Sequence, residues 1–231
     1  MNIALSVSKF FLYLVPFSVV IVYAGTLFPF IVGKGIFMRI AVELALLFFV
    51  WAWVQEEITT KEIKARFSNP IVIAVAIFVA IFIIAGALGV NPSASFWSGF
   101  ERGEGGFQMI HYGIFFLLLA ATMRDRASWR RMFINSLWAA GLMIAYGIAA
   151  ALKVQGFIGP SLCERFQGSL GNPAYVGTYL IFGIFYAAYL LLEEKKQEKK
   201  WIWTGLIAIL FCFLVLNQTR GAFLGFGTAV I

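Results

Sequence analysis

Seven apolar runs, each long enough to cross a lipid bilayer as a helix, follow one another through this chain of 231 residues. A hydrocarbon core about 30 Å thick needs roughly 17–25 residues at about 1.5 Å of rise per residue. The runs cover residues 10–32, 36–54, 70–90, 107–123, 132–152, 173–192 and 201–216, and an eighth starting at 222 is still apolar at residue 231. Backbone polar groups in hydrocarbon must be satisfied within the segment that carries them, so runs of this length are helices. The sequence predicts an all-α fold, a polytopic transmembrane helix bundle with seven complete spans and the start of an eighth, in which the chain stops inside a helix.

Composition supports this reading. The chain is 61% hydrophobic and 13% charged, whereas soluble domains are about half apolar and about a quarter charged. A soluble domain and a disordered chain are both excluded. So is a disulfide scaffold, because there are only two cysteines, Cys163 in a loop and Cys212 inside an apolar run. The pairs Asn69-Pro70 and Asn172-Pro173 place a capping residue before a proline at the first helical position, so helices start there. The first run follows Lys9, has no clear small-x-small cleavage site, and is read as retained.

The net charge of +7 acquires meaning only from the loops that hold it. Alternate loops carry 12 and 6 of the 18 basic residues. The richer side holds Lys9 and the clusters near 61–66, 124–131 and 195–200, which places the amino terminus in the cytoplasm. Loops 91–106, 153–172 and 217–221 then face outward. The basic loops are short, juxtamembrane and interleaved with Glu, so they are topology signals and not nucleic-acid sites. No repeat or low-complexity tract interrupts the pattern, and one membrane domain fills the chain.

Inside such a chain the polar residues carry the information. Glu43 is the only acid well inside a span. It reads either as a proton or ion relay or as a helix-packing contact, and the lack of a visible relay partner favours packing. His111, the only histidine, sits one turn into the fourth helix and reads as an interfacial hydrogen-bonding residue or a general base.

Three outward segments concentrate charge, aromatics and glycine. Asn91 to Phe107 contains Glu101, Arg102, Glu104 and glycines able to form an anion-binding nest, without the spacing of a P-loop. Glu164-Arg165-Phe-Gln167 leads through Asn172-Pro173 into a helix, whose amino terminus with Arg165 could hold an anion or be an ordinary capped turn. Asn217-Gln218-Thr219-Arg220-Gly221-Ala222 places an arginine at a helix break, suited to a phosphate or to snorkelling.

The order of these motifs resembles the first part of a bacterial O-antigen ligase or Wzy-type O-antigen polymerase family membrane protein. The residues that carry the resemblance are Ser95-Phe-Trp-Ser-Gly-Phe-Glu101-Arg102, then Gln167-Gly-Ser-Leu-Gly-Asn172-Pro173-Ala-Tyr175, then Gln218-Thr219-Arg220-Gly221-Ala222 with Leu224-Gly225. It runs from about residue 70 to the end. It implies a glycosyltransferase in the bacterial inner membrane, moving or polymerising a glycan from an undecaprenyl-diphosphate carrier on the periplasmic face. The acceptor would be a lipid A-core sugar, another glycan or a protein. Arg220 matches the family's motif arginine and is the first candidate for the diphosphate, with Arg165 and Arg102 behind it. Glu101, Gln167, Asn172, Gln218 and Thr219 are expected in support.

Family members continue through further helices and a long outer loop bearing a histidine, to which His111 does not correspond. The catalytic residue is therefore unassigned, and the chain resembles a front portion inactive by itself. No cofactor is implied, and one histidine with two separated cysteines predicts no metal site. The alternatives are a multi-span transporter or lipid flippase and a non-enzymatic membrane scaffold. The orientation has a direct check. Cysteines introduced at 91–106 or 153–172 should react with an impermeant thiol reagent in whole cells, and cysteines at 124–131 should not; the reverse pattern inverts the topology.

Overall fold

The computed structural model describes residues 3–99, 102–160 and 164–230. Among them every regular element is a helix. In chain order these are α1 (Ile3–Leu14), extended by a 3-10 turn (Val15–Val20), α2 (Val32–Val54), α3 (Thr60–Phe67), α4 (Pro70–Ala87), α5 (Pro92–Trp97), α6 (Gly106–Thr122), α7 (Arg126–Ala151), α8 (Pro173–Glu193), α9 (Gln197–Asn217) and α10 (Arg220–Val230).

Six helical segments are long and apolar enough to cross a membrane: Ile3–Val20, α2, α4, α7, α8 and α9. The chain is a multi-pass membrane protein. The expected count of seven full-length spans is not confirmed, since α6, also apolar, is 17 residues long and shorter than these six. The first span is also displaced, from 10–32 to Ile3–Val20. Its start precedes the apolar run because Glu57 caps it, accepting the backbone N–H groups of Ala4 at 3.2 Å and Leu5 at 2.8 Å. The polar residues that interrupt its hydropathy have partners: the Ser8 hydroxyl donates to Ala45 O at 2.8 Å, and Lys9 Nζ reaches Ser128 Oγ at 3.2 Å. Its α-helical part ends at Leu14, two residues before Pro16, which has no N–H to continue the ladder.

The Asn-Pro starts appear as expected. Asn69 accepts the Ile71 N–H and Asn172 the Ala174 N–H, each at 2.9 Å. Two short helices lie within segments read as loops. In α3, Thr59 and Glu62 form a reciprocal capping box. In α5, Asn91 caps Ala94 with Pro92 at the first position.

The chain divides into two compact units, one of residues 1–18 and 23–129, the other of residues 19–22 and 130–231. In the first, α1 packs on α2, Val15 of the 3-10 turn joins Met38, Ala41 and Val42 of α2 in a buried cluster, and α6 lies against α2 and α4. One end of this unit is tied by Arg124 to Glu62 at 2.9 Å, Arg66 to Ala120 O at 3.3 Å and Lys9 to Ser128. In the second, a continuous core joins Leu137, Ala140 and Met143 of α7 to Val176, Leu180 and Ile184 of α8 and to Leu210 and Leu214 of α9. Gly183 lets α9 close on α8: a Cβ there would lie 3.3 Å from Leu210. Cys212 is a free thiol, and Cys163 lies outside the described residues.

Three carboxyls at helix junctions are held below their ordinary range. The Thr59 N–H does this for Glu62, the Ser128 N–H for Asp125 and the Lys196 N–H for Glu194, with nearby basic residues assisting. A carboxyl depressed in the folded chain contributes stability above its unfolded value, and that contribution is lost as pH falls through the folded value. Thermal unfolding in detergent should therefore shift to lower temperature as pH falls below the ordinary carboxyl values of 4.5 and 3.8. Glu62→Gln should flatten part of that dependence; an equal slope in the variant would remove Glu62 from the account.

Candidate functional site

The most organised polar site in the second unit is built where α9 breaks into α10. Gln218 adopts a left-handed backbone at φ 53°, the conformation that commonly closes a helix, and its N–H reaches Val215 O at 3.1 Å. Thr219 O then accepts from Ala222 N at 3.0 Å, which starts α10. Two residues separate the helices.

Asn217, the last residue of α9, is fully buried. Its Nδ2 donates to Phe166 O at 2.9 Å and to Pro173 O at 2.6 Å, joining the loop before α8 and the first turn of α8 to the end of α9. The Phe166 N–H returns a bond to Leu216 O at 3.3 Å. Arg165 completes the junction, donating from Nε to Asn217 O at 3.2 Å and from Nη2 to the Thr219 hydroxyl at 2.7 Å. Gly177 makes room for it, since a Cβ there would sit 2.8 Å from both Asn217 Oδ1 and Ala222 Cβ.

Beside this junction lies a cavity of about 190 Å³. Its floor is apolar, from Ile148, Ala151, Phe213 and Leu216, and Glu164, Arg165, Gln167 and Gln218 supply its polar lining. Gly168, with φ 52°, folds the loop onto α7, where a side chain would overlap the Met143 sulfur. Arg220 is exposed and makes no hydrogen bond or ion pair among the described residues. Arg165 is also exposed, and its Nη1 makes no hydrogen bond among them. An arginine fork beside an apolar recess can take an anionic head group attached to an apolar chain.

The site residues expected from sequence thus divide. Arg165, Gln167, Gln218 and Thr219 come together here, with Arg220 next in sequence to Thr219. Asn172 caps α8 and makes the ordinary turn, while Arg165 turns toward the α9–α10 break. Arg102 belongs to the first unit, paired with Glu104 at 2.9 Å and lying 5.0 Å over the Phe28 ring. Glu101 lies outside the described residues.

A second polar group was not assembled by sequence reasoning. In the first unit Arg39 donates from Nε to Gln108 Oε1 and from Nη2 to Gly103 O, both at 2.6 Å. One turn further along α2, Glu43 Oε1 meets His111 Nε2 at 3.0 Å. The spacing held the signal: Arg39 and Glu43 stand four apart, and Gln108 and His111 three apart, so each pair occupies one helix face. Comparison of the chain with protein-family models, curated proteins and solved structures finds no match.

The Asn217 junction is open to mutation. Asn217→Ala leaves two backbone carbonyls without their donor and should lower stability by about 2 kcal/mol, read as earlier thermal unfolding in detergent. A variant as stable as the parent would show that the junction is not tied through this side chain.

Proposed function

We propose that this chain is a membrane glycosyltransferase-like protein of the O-antigen ligase or polymerase type, which takes its glycan from an undecaprenyl-diphosphate carrier at the outer face. The observation that carries this reading is Arg165 clamped to the α9–α10 break at the mouth of an apolar-floored cavity, with Arg220 one residue beyond its Thr219 partner. The cavity floor suits the first isoprene units of the carrier. The arginines would neutralise the diphosphate charge that grows as the glycosidic bond breaks. The acceptor would be lipid A-core, glycan or protein.

The same reading takes α6 as a seventh crossing and α10 as the beginning of an eighth. At about 1.5 Å per residue α6 reaches about 26 Å. Its Gln108 meets Arg39 near one end of the first unit, and its Ala120 meets Arg66 at the other, which supports a full traverse. The excess of basic residues in the loops on the amino-terminal side supports a cytoplasmic amino terminus in the bacterial inner membrane.

A second reading, a multi-span transporter or lipid flippase, is favoured by one observation, the Arg39–Glu43–His111 group within the apolar helices α2 and α6. Glycan transfer separates the two, since a flippase would bind the same carrier without transferring its glycan. In nanodiscs the chain should bind undecaprenyl diphosphate, and Arg220→Ala should weaken that binding roughly 10- to 100-fold. Arg220→Lys should recover part of it, since lysine keeps the charge without the planar fork. In a longer protein containing this chain, glycan transfer should fall in the same order. Unchanged affinity in Arg220→Ala would overturn the assignment.

A further inference from the structure

Glu43 is the middle residue of α2 (Val32–Val54), and its side chain is 60% exposed, whereas that of His111 is 6% exposed. A bare carboxylate at that depth facing hydrocarbon is strongly unfavourable unless it is neutralised. The hydrogen positions around it follow from the acceptors. His111 Nδ1 lies 2.8 Å from Phe107 O, a carbonyl that can only accept, so Nδ1 carries a hydrogen. The 3.0 Å contact between His111 Nε2 and Glu43 Oε1 then needs one more hydrogen between them. Either the neutral carboxyl donates it to Nε2, or Nε2–H of an imidazolium donates it to the carboxylate. Both arrangements have no net charge, and both hold one proton.

Without that proton the Nε2 lone pair would face a carboxylate, and the contact would be lost. What allows the proton to leave is Arg39, one turn from Glu43 on the same helix. Its hydrogen bonds go to neutral partners, Gln108 and Gly103 O. With the proton bound, the group of Arg39, Glu43 and His111 carries one positive charge; with the proton gone it is neutral, which burial favours.

We propose that Glu43 and His111 form a reversible proton-binding site within the membrane-spanning part of the first unit, opposed by the fixed charge of Arg39. The site stands on this geometry and is independent of the glycan-transfer reading. The nearest other ionisable groups are Tyr112 on α6 and Glu104 in the segment before it, both close enough to act on Arg39. α4 and α5 contain no ionisable residue. From α1, Lys9 and Tyr13 are engaged with Ser128 at the far end. α3 meets α6 through Arg66 at Ala120, also at that end. On α6 the neighbouring Tyr112 is exposed. In the segment before α6, Glu104 is paired with Arg102.

His111 is the only histidine in the chain, so a protein purified without a polyhistidine tag and labelled with 15N-histidine and 13C-glutamate reports this site directly. In nanodiscs, the His111 nitrogens and the Glu43 carboxyl carbon should change over one shared pH range, with Nδ1 keeping its hydrogen throughout. Glu43→Gln should make His111 bind its second proton at least about tenfold more weakly. Arg39→Gln should act in the opposite direction, tightening proton binding. Glu43→Asp, which keeps a carboxyl, should retain a linked transition. A hydrogen bond serving only helix packing would show no linked transition, or the same His111 titration in Glu43→Gln as in the parent. Either result overturns the proposal, provided the variant elutes and melts as a folded protein.

Discussion

Hydrocarbon offers no partner to a peptide group, and this one constraint governs where the chain can be irregular. The body of a long helix satisfies its own backbone groups, and at several of the breaks a side chain serves the freed ones. Glu57 serves the start of α1, Thr59 and Glu62 that of α3, Asn69 that of α4 and Asn172 that of α8. Asn217 does the same at the α9–α10 break, where one buried amide satisfies two carbonyls from neighbouring segments. The anion-site candidates Arg165, Thr219 and Arg220 lie at or beside such a break, because there a polar group has a structural reason to exist.

The two polar groups of this protein differ in kind. The junction around Asn217 and Arg165 is a loop stitched to a helix end, beside a cavity with room for a ligand. The ladder formed by Arg39, Glu43, Gln108 and His111 joins two helices side by side, with hydrogen-bond distances from 2.6 to 3.0 Å. An anion-binding role fits the first, since Arg220 and part of Arg165 remain open. Proton exchange fits the second, since its charges are nearly balanced within the protein.

Helix class and two helix starts were legible from particular residues. The Asn-Pro pairs marked α4 and α8, and the apolar runs marked the bodies of α2, α7 and α9. The first span was misplaced because hydropathy counts Ser8 and Lys9 as breaks, whereas their long-range partners Ala45 and Ser128 make them acceptable inside a helix. At the candidate site, sequence reasoning gathered Arg165, Gln167, Gln218, Thr219 and Arg220 because they share outward segments. It included Asn217 in the third segment without giving it a role, because that role rests on carbonyls 44 and 51 residues away.

What the sequence determined by itself was local: the length of each apolar run, the caps before proline and the uneven distribution of basic residues among loops. These depend on neighbours within about one helical turn or on composition. The tertiary structure decided the pairings, that Glu43 faces His111, that Arg165 turns to the end of α9, and that Gly177 admits Asn217 and Ala222. Those follow from which helix faces pack together, and the pattern of a strongly apolar helix leaves its inward face undefined, because lipid and protein interior are equally apolar.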